Sequence, residues 1–247
     1  MKTIKIKVLT FIQGFFILNL LWYIAAKALK IPALPVPQKI YSSLGRVVSD
    51  KLYIHLGYSL FRISSAIIIS LIIGLAIGIL MGYSKLWNSL LNPLVYFTYP
   101  IPKISLLPVI MLLFGLREKS KIIMIVLIIV FQIIIAVRDA VLNLPKETYH
   151  ALKSMGASKF QMFLYITLPA AFSEILTSVR IALGTAISVL FFTEVYGTRY
   201  GLGYFIMDAW MRIDYIEMYC GIVVVSLLGF ILFASIDTLE GLICKGN

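Results

Sequence analysis

The sequence predicts an all-α protein that crosses a lipid bilayer several times. Three observations predict it. Of 247 residues, 61% are hydrophobic and only 13% charged; mean hydropathy is +0.98; and uncharged runs of 16 to 20 residues recur along the chain. An ordinary globular domain is about 45–50% apolar and about 25% charged, so this chain has too few charges to cover a water-soluble core. The bases outnumber the acids, 22 Lys and Arg against 11 Asp and Glu for a net charge of +11. They sit between apolar segments, where they meet lipid headgroups and set topology rather than bind nucleic acid.

The spans follow in order. Val8–Ala26 is 19 residues without charge, preceded by Lys2, Lys5 and Lys7. A signal-peptide core is about 7–15 residues, so this run is expected to stay as an anchor. Ile63–Gly82 supplies 20 residues. The stretch Leu86–Leu116 is apolar but carries Pro93, Pro100, Pro102, Lys103 and Pro108. Proline removes a helix donor and clashes with the preceding turn, so one bent span with an irregular entry is expected. Ile122–Val137 has 16 residues, slightly short, but Lys121 and Arg138 bracket it and can snorkel outward. Ile175–Thr193 has 19, interrupted by Arg180, and Met218–Ile236 has 19. Six spans result, against the roughly 17–25 residues that one crossing needs.

Orientation does not follow from charge. With both termini inside, nine bases fall on the inner side and ten on the outer, while Arg62, Lys103 and Arg180 belong to neither set. The cysteines are equally silent. Cys220 and Cys244 lie at opposite ends of one apolar segment, about 36 Å apart along a helix, too far to pair.

The longest polar interruption in the second half runs from Asn143 to Thr167. Pro145 suits the first position of a short helix, with Glu147 in its first turn. Gly156 suits a left-handed C-terminal cap, and Ser158 can cap a second short helix leading to Leu168-Pro169. Tyr149, Leu152 and Met155 share one side of the first helix. On these grounds alone the segment is either an amphipathic loop on the headgroups or a docking element for a partner.

A family resemblance separates the two readings. His150-Ala151-Leu152, three residues, Gly156, nine residues and Ile166-Thr167-Leu168-Pro169 resemble the cytoplasmic E-A-A…G…I-x-L-P loop of permeases in ATP-binding-cassette importers. His150 stands at the usual Glu and Leu152 at the usual Ala. Further segments resemble the nitrate/sulfonate/taurine-type branch: Pro100-Ile-Pro102-Lys103 leading to Leu107-Pro108 and Phe114-Gly115, then Ser178 to Gly184, then Glu194 followed by Tyr200-Gly-Leu-Gly-Tyr204.

The resemblance implies a type I importer permease fold with a coupling helix. It implies an N-terminal anchor and amphipathic linker over 1–52, a transmembrane domain over 53–242 with its coupling loop near 143–167, and a short tail over 243–247. Two copies, identical or not, would form a pore in a prokaryotic inner membrane, with both termini cytoplasmic. An extracytoplasmic binding protein would deliver a small solute, often an anion. The coupling contacts would come from Tyr149, His150, Ala151, Leu152, Met155, Gly156, Ala157, Ile166, Leu168 and Pro169, docked on a separate ATPase. No G-x-x-x-x-G-K-[ST] phosphate loop is present in this chain, which places hydrolysis in trans.

Other residues weigh less. Gly74, Gly78 and Gly82 recur every four positions, a spacing that lets helices approach closely in lipid. Arg180 has no acid three or four residues away, so its partner must lie on another helix, at a terminus or in water; a structural or gating contact is expected. Gly184, Ser188 and Gln132 are further candidates for the pathway or gate, with Ser178 and Thr185 beside them. Glu194 lies about 21 Å beyond Arg180 on the same helix and reads as an interfacial acid at the outer end. The 200–204 segment reads as a glycine-permitted turn with interfacial aromatics. His55 and His150 have no metal-ligand spacing, and no nucleophile, paired carboxylate, metal or cofactor motif is found, so no enzyme site is expected. The competing reading is an ion-coupled secondary carrier acting without an ATPase. Such carriers carry internal repeats and ionisable groups near the midplane, and no repeat is visible here.

Overall fold

The computed structural model describes residues 2–243, with side chains from 13 to 241 apart from positions 146, 148, 151, 152, 159, 170, 171 and 173. Cys244 therefore lies outside the described residues; Cys220 is a buried free thiol. Among the described residues the fold is helical, with no strand.

Helix α1 (Lys2–Leu29) leads through a short turn to α2 (Pro37–Val47), which begins on a proline, a residue whose missing N–H costs nothing at a helix start. A π-helical turn over Val48–Leu52 joins α2 to α3 (Tyr53–Tyr83) without a break. Next come α4 (Lys85–Thr98), a 3₁₀ turn over Lys103–Leu106 and α5 (Leu107–Phe114). These two helices bend by 82° at the break, where Pro100 and Pro102 withhold the donors that would continue α4. Pro93 is tolerated inside α4. Helix α6 (Glu118–Leu142) precedes the polar loop, which contains α7 (Lys146–Ser154) and α8 (Lys159–Met162). A π-helical turn over Phe163–Thr167 feeds α9 (Leu168–Val195), followed by α10 (Leu202–Met211) and α11 (Tyr215–Ile243).

Among the described residues, four helices are long and apolar enough to cross a membrane, five if the bent α4–α5 pair is one span. The most extensive packing is α3 on α6, then α6 on α9. Their shared core includes Ile63, Met124, Ile129, Ile133, Val137, Leu183 and Leu190, all essentially sealed. A second core joins α2, α10 and α11 through Ile40, Leu202, Phe205 and Cys220.

The glycines at 74, 78 and 82 make the α3–α6 contact this close. A Cβ at Gly78 would come within 2.7 Å of Val137 Cβ, and one at Gly74 within 2.6 Å of Ile133 Cγ2. Real carbon atoms do not approach so near, so each larger residue would push the two helices apart.

Candidate functional site

Three sites lie along this bundle. The first is at the C-terminal end of α9. Arg62 of α3 has no exposed surface. Its Nε and a terminal nitrogen donate side by side to Glu118 of α6, at 2.5 and 2.8 Å. Its other terminal nitrogen donates to Glu194 of α9 at 2.7 Å and to the Tyr200 carbonyl at 2.8 Å. Glu194 also accepts from the Ser59 hydroxyl at 2.8 Å and from the Gly203 backbone N–H at 2.9 Å. The Leu202 N–H donates to Ser59, and the Gly201 N–H to His55 Nδ1. Every strong hydrogen-bonding group of this charged cluster thus has a partner, the condition under which buried charges are tolerated.

The 200–204 segment is more than an interfacial turn. Gly201 sits at φ +134, and a Cβ there would fall 2.4 Å from the Glu194 carboxyl carbon and 2.6 Å from an Arg62 nitrogen. Only glycine lets the backbone wrap the carboxylate this closely. Beside it, buried Lys121 donates to the carbonyls of Leu116 and Gly197, at 2.7 and 3.3 Å.

One expectation is corrected here. Glu194 is fully buried rather than interfacial, because α3 and the glycine turn close over it. Arg62, which the charge count left on neither side of the membrane, is fully buried, whereas Arg180 is partly exposed. A signal for Arg62 was present: His55, Ser59 and Arg62 fall at i, i+4 and i+7, a polar stripe along one face of an apolar helix.

The second site lies near the middle of α9, about 21 Å back from Glu194. Arg180 is partly exposed and pairs with Glu240 and, at 2.5 Å, with Asp237, both on α11. Its partner does come from another helix. At the start of α9, the Thr167 hydroxyl ties the loop to the bundle. Buried Thr167 is hydrogen-bonded to Tyr149 of α7 at 2.8 Å and to Tyr83 at the end of α3. Gly156 follows α7 at φ +82, the left-handed geometry that a C-terminal cap needs. Ser158 and Gln161 then cap α8 reciprocally: the Gln161 N–H donates to the Ser158 hydroxyl at 3.2 Å, and the Ser158 N–H to Gln161 Oε1 at 2.8 Å.

At this turn Met155 is 84% exposed, and His150 and Phe160 are exposed too. Ala157 is half-buried, Ile166 buried, Leu168 half-buried and Pro169 exposed. The side chains of Ala151 and Leu152 lie outside the described residues.

The third site is a cavity of about 360 Å³ lined by Tyr99, Ile101, Lys103, Ile104, Ile128, Gln132 and Val189. Gln132 reaches Thr185 of α9 at 3.5 Å. The Ser188 hydroxyl donates instead to the Gly184 carbonyl of its own helix, and a Cβ added at Gly184 would meet the Phe233 ring at 3.9 Å, an ordinary contact. Among the described residues no group of His, Cys, Asp and Glu side chains could hold a metal ion.

The sequence profile of the family described as "Binding-protein-dependent transport system inner membrane component" matches residues 66–244. The chain belongs to this family. It is a permease subunit of an ABC importer, a transport component rather than an enzyme. The taurine transport system permease protein TauC of Escherichia coli (strain K12) is 30% identical over 231 residues, 91% of this chain and 84% of that one. The formylaminopyrimidine transport permease protein ThiX of Halalkalibacterium halodurans is 29% identical over 230 residues, 93% and 92% of the two chains.

A structure of the methionine ABC transporter MetNI in an inward-facing conformation matches with a TM-score of 0.64 at 17% identity. It covers 76% of this chain and 94% of that one, and is a likeness of fold. Membership in this permease family brings two kinds of partner, an ATPase and a solute-binding protein, and a place in the inner membrane. The permease subunit's elongated α9 connects the charged cluster at one end to the exposed turn at the other.

Proposed function

We propose that this permease subunit pairs with a second permease copy to form the pore for a small solute with an anionic head, a sulfonate or related metabolite. Opening of the pore is driven by an ATPase docked on the 143–167 loop. The supporting observation is the Gly156 turn: two short helices, held to the bundle through Thr167, present Met155 and Phe160 to solvent. Exposed apolar side chains on a polar, well-anchored loop suit insertion into a groove of another protein.

The same reading gives the topology. With the loop cytoplasmic, the Arg62–Glu194 cluster faces outward. Helices α1, α3, the bent α4–α5 pair, α6, α9 and α11 then make six crossings, with both termini inside. The domain plan is a 1–52 anchor and linker, a 53–242 transmembrane domain and a 243–247 tail. The solute class is supported by the relatives, whose names include taurine transport. Family membership weighs against an ion-coupled carrier working alone.

The test is to co-express the chain with candidate ATPases and purify in mild detergent, comparing Gly156→Pro with the native chain. Proline is held near φ −65° and cannot adopt the φ +82 of this turn. A complex that forms with the native chain and is lost in Gly156→Pro supports docking at the loop. A folded, inserted native chain that binds no ATPase overturns it.

A further inference from the structure

Another cation sits within the bundle on very different terms from Arg62 and Lys121. Lys103 follows the break between α4 and α5, and only 7% of it is exposed. Its Nζ donates to the Tyr99 carbonyl at 3.1 Å, and lies 4.8 Å from the centre of the Phe131 ring and 5.6 Å from that of Tyr99. An ammonium has three donors, so two are left without an acceptor among the described residues, and none of the ion pairs found there includes it.

Lys103 lines the 360 Å³ cavity together with Gln132 and Tyr99, and no acid lines it. The Gln132 Oε1 there is itself buried without a partner. Gln132 lies about 21 Å along α6 from Glu118 and about 15 Å from Leu142, near the middle of a hydrocarbon layer about 30 Å thick. An ionisable group at this depth, facing a cavity, marks a solute path more often than a packing contact. Aromatic faces and a single carbonyl hold the ammonium in place without neutralising it, which leaves its charge available to an incoming anion.

We propose that Lys103 forms an anion-binding station in the permease, taking the sulfonate or carboxylate end of the solute. Gln132 and the Tyr99 ring shape the space around it. This deepens the importer reading and rests on it for the identity of the cargo, but its electrostatics can be tested without transport.

The probe is a thiol placed at Ile128, which lines the same cavity one turn from Gln132. Ile128→Cys is made in the full chain with Cys220→Ala and Cys244→Ala, in membrane vesicles without ATP. Reaction is timed with a negatively charged sulfonatoethyl methanethiosulfonate and with its positively charged trimethylammonioethyl counterpart. Each rate is divided by the reagent's rate with a free thiol. The expected result is about a tenfold or greater preference for the anionic reagent, the order of enhancement that a charged, low-dielectric cleft produces.

Lys103→Met and Lys103→Gln should abolish that preference, and Lys103→Arg should keep it; gel filtration confirms that each variant remains folded. A thiol that neither reagent reaches, or a preference indifferent to the charge at 103, overturns the proposal. A native chain that binds no ATPase would overturn the importer reading and leave the charge preference at Ile128→Cys untouched, so the two can fail separately.

Discussion

At one end of α9, Glu194 is sealed and holds three donors, from Ser59, Arg62 and Gly203. Midway along it, Arg180 shares its charge with Asp237 and Glu240 in partial contact with solvent, and the loop that leads into its other end leaves Met155 and Phe160 uncovered. The first end is complete within one chain. The loop offers apolar surface that no described residue covers. One helix therefore links a region whose geometry is over-determined by its own contacts to one whose surface fits a partner. On the proposed docking of an ATPase at the loop, α9 would be the element that carries its movement into the bilayer.

The comparison can be broken most severely at Arg62. Arg62→Ala strands two carboxylates, one of them fully buried, and should cost about 3–5 kcal/mol. Thermal unfolding in detergent should show a large drop in midpoint. The double variant Arg62→Met with Glu194→Gln should recover part of it, since removing both charges relieves the uncompensated one. No recovery would mean that the loss comes from packing rather than from the stranded charge.

Gly201→Ala comes next. It places a carbon against the Glu194 carboxylate at a backbone angle essentially reserved for glycine, at about 1–3 kcal/mol. A smaller drop in the same unfolding assay is expected, and an unchanged midpoint would show that the turn can move off the carboxylate freely.

Around Arg180 and at the loop the effects on the chain's own stability should be slight. A double-mutant cycle between Arg180→Ala and Asp237→Ala should return no more than about 1 kcal/mol, as for partly exposed pairs generally. A coupling of several kcal/mol would erase the contrast between the two regions.

Smallest of all for the isolated chain is Met155→Asp, within about 0.5 kcal/mol because the side chain is exposed. The same change should abolish co-purification with the ATPase. If it destabilises the free chain instead, the turn is a structural element rather than a docking surface.

Much of the architecture is legible from composition and spacing. Long uncharged runs specify membrane helices, because a backbone in lipid must satisfy its own hydrogen bonds. Prolines at 93, 100, 102 and 108 mark the bent segment, because each removes a donor locally. Gly156 and Ser158 announce the loop's turn and cap through chemistry confined to a few neighbouring residues.

The pairing of charges was decided by the tertiary structure alone. Glu118 and Glu194 lie 56 and 132 residues from Arg62, and no local pattern states which helices will meet. The sequence read Glu194 as interfacial because it stands at the end of an apolar run. Burial came from α3 and a glycine turn packing over it. Likewise Lys103 fits neither side of the membrane in a charge count, and only the bend between α4 and α5 carries it into a cavity with Gln132. Local propensity acts through backbone geometry and hydration, which each residue carries with it. Burial and ion pairing depend on which distant surfaces come into contact, and that is settled only when the helices pack.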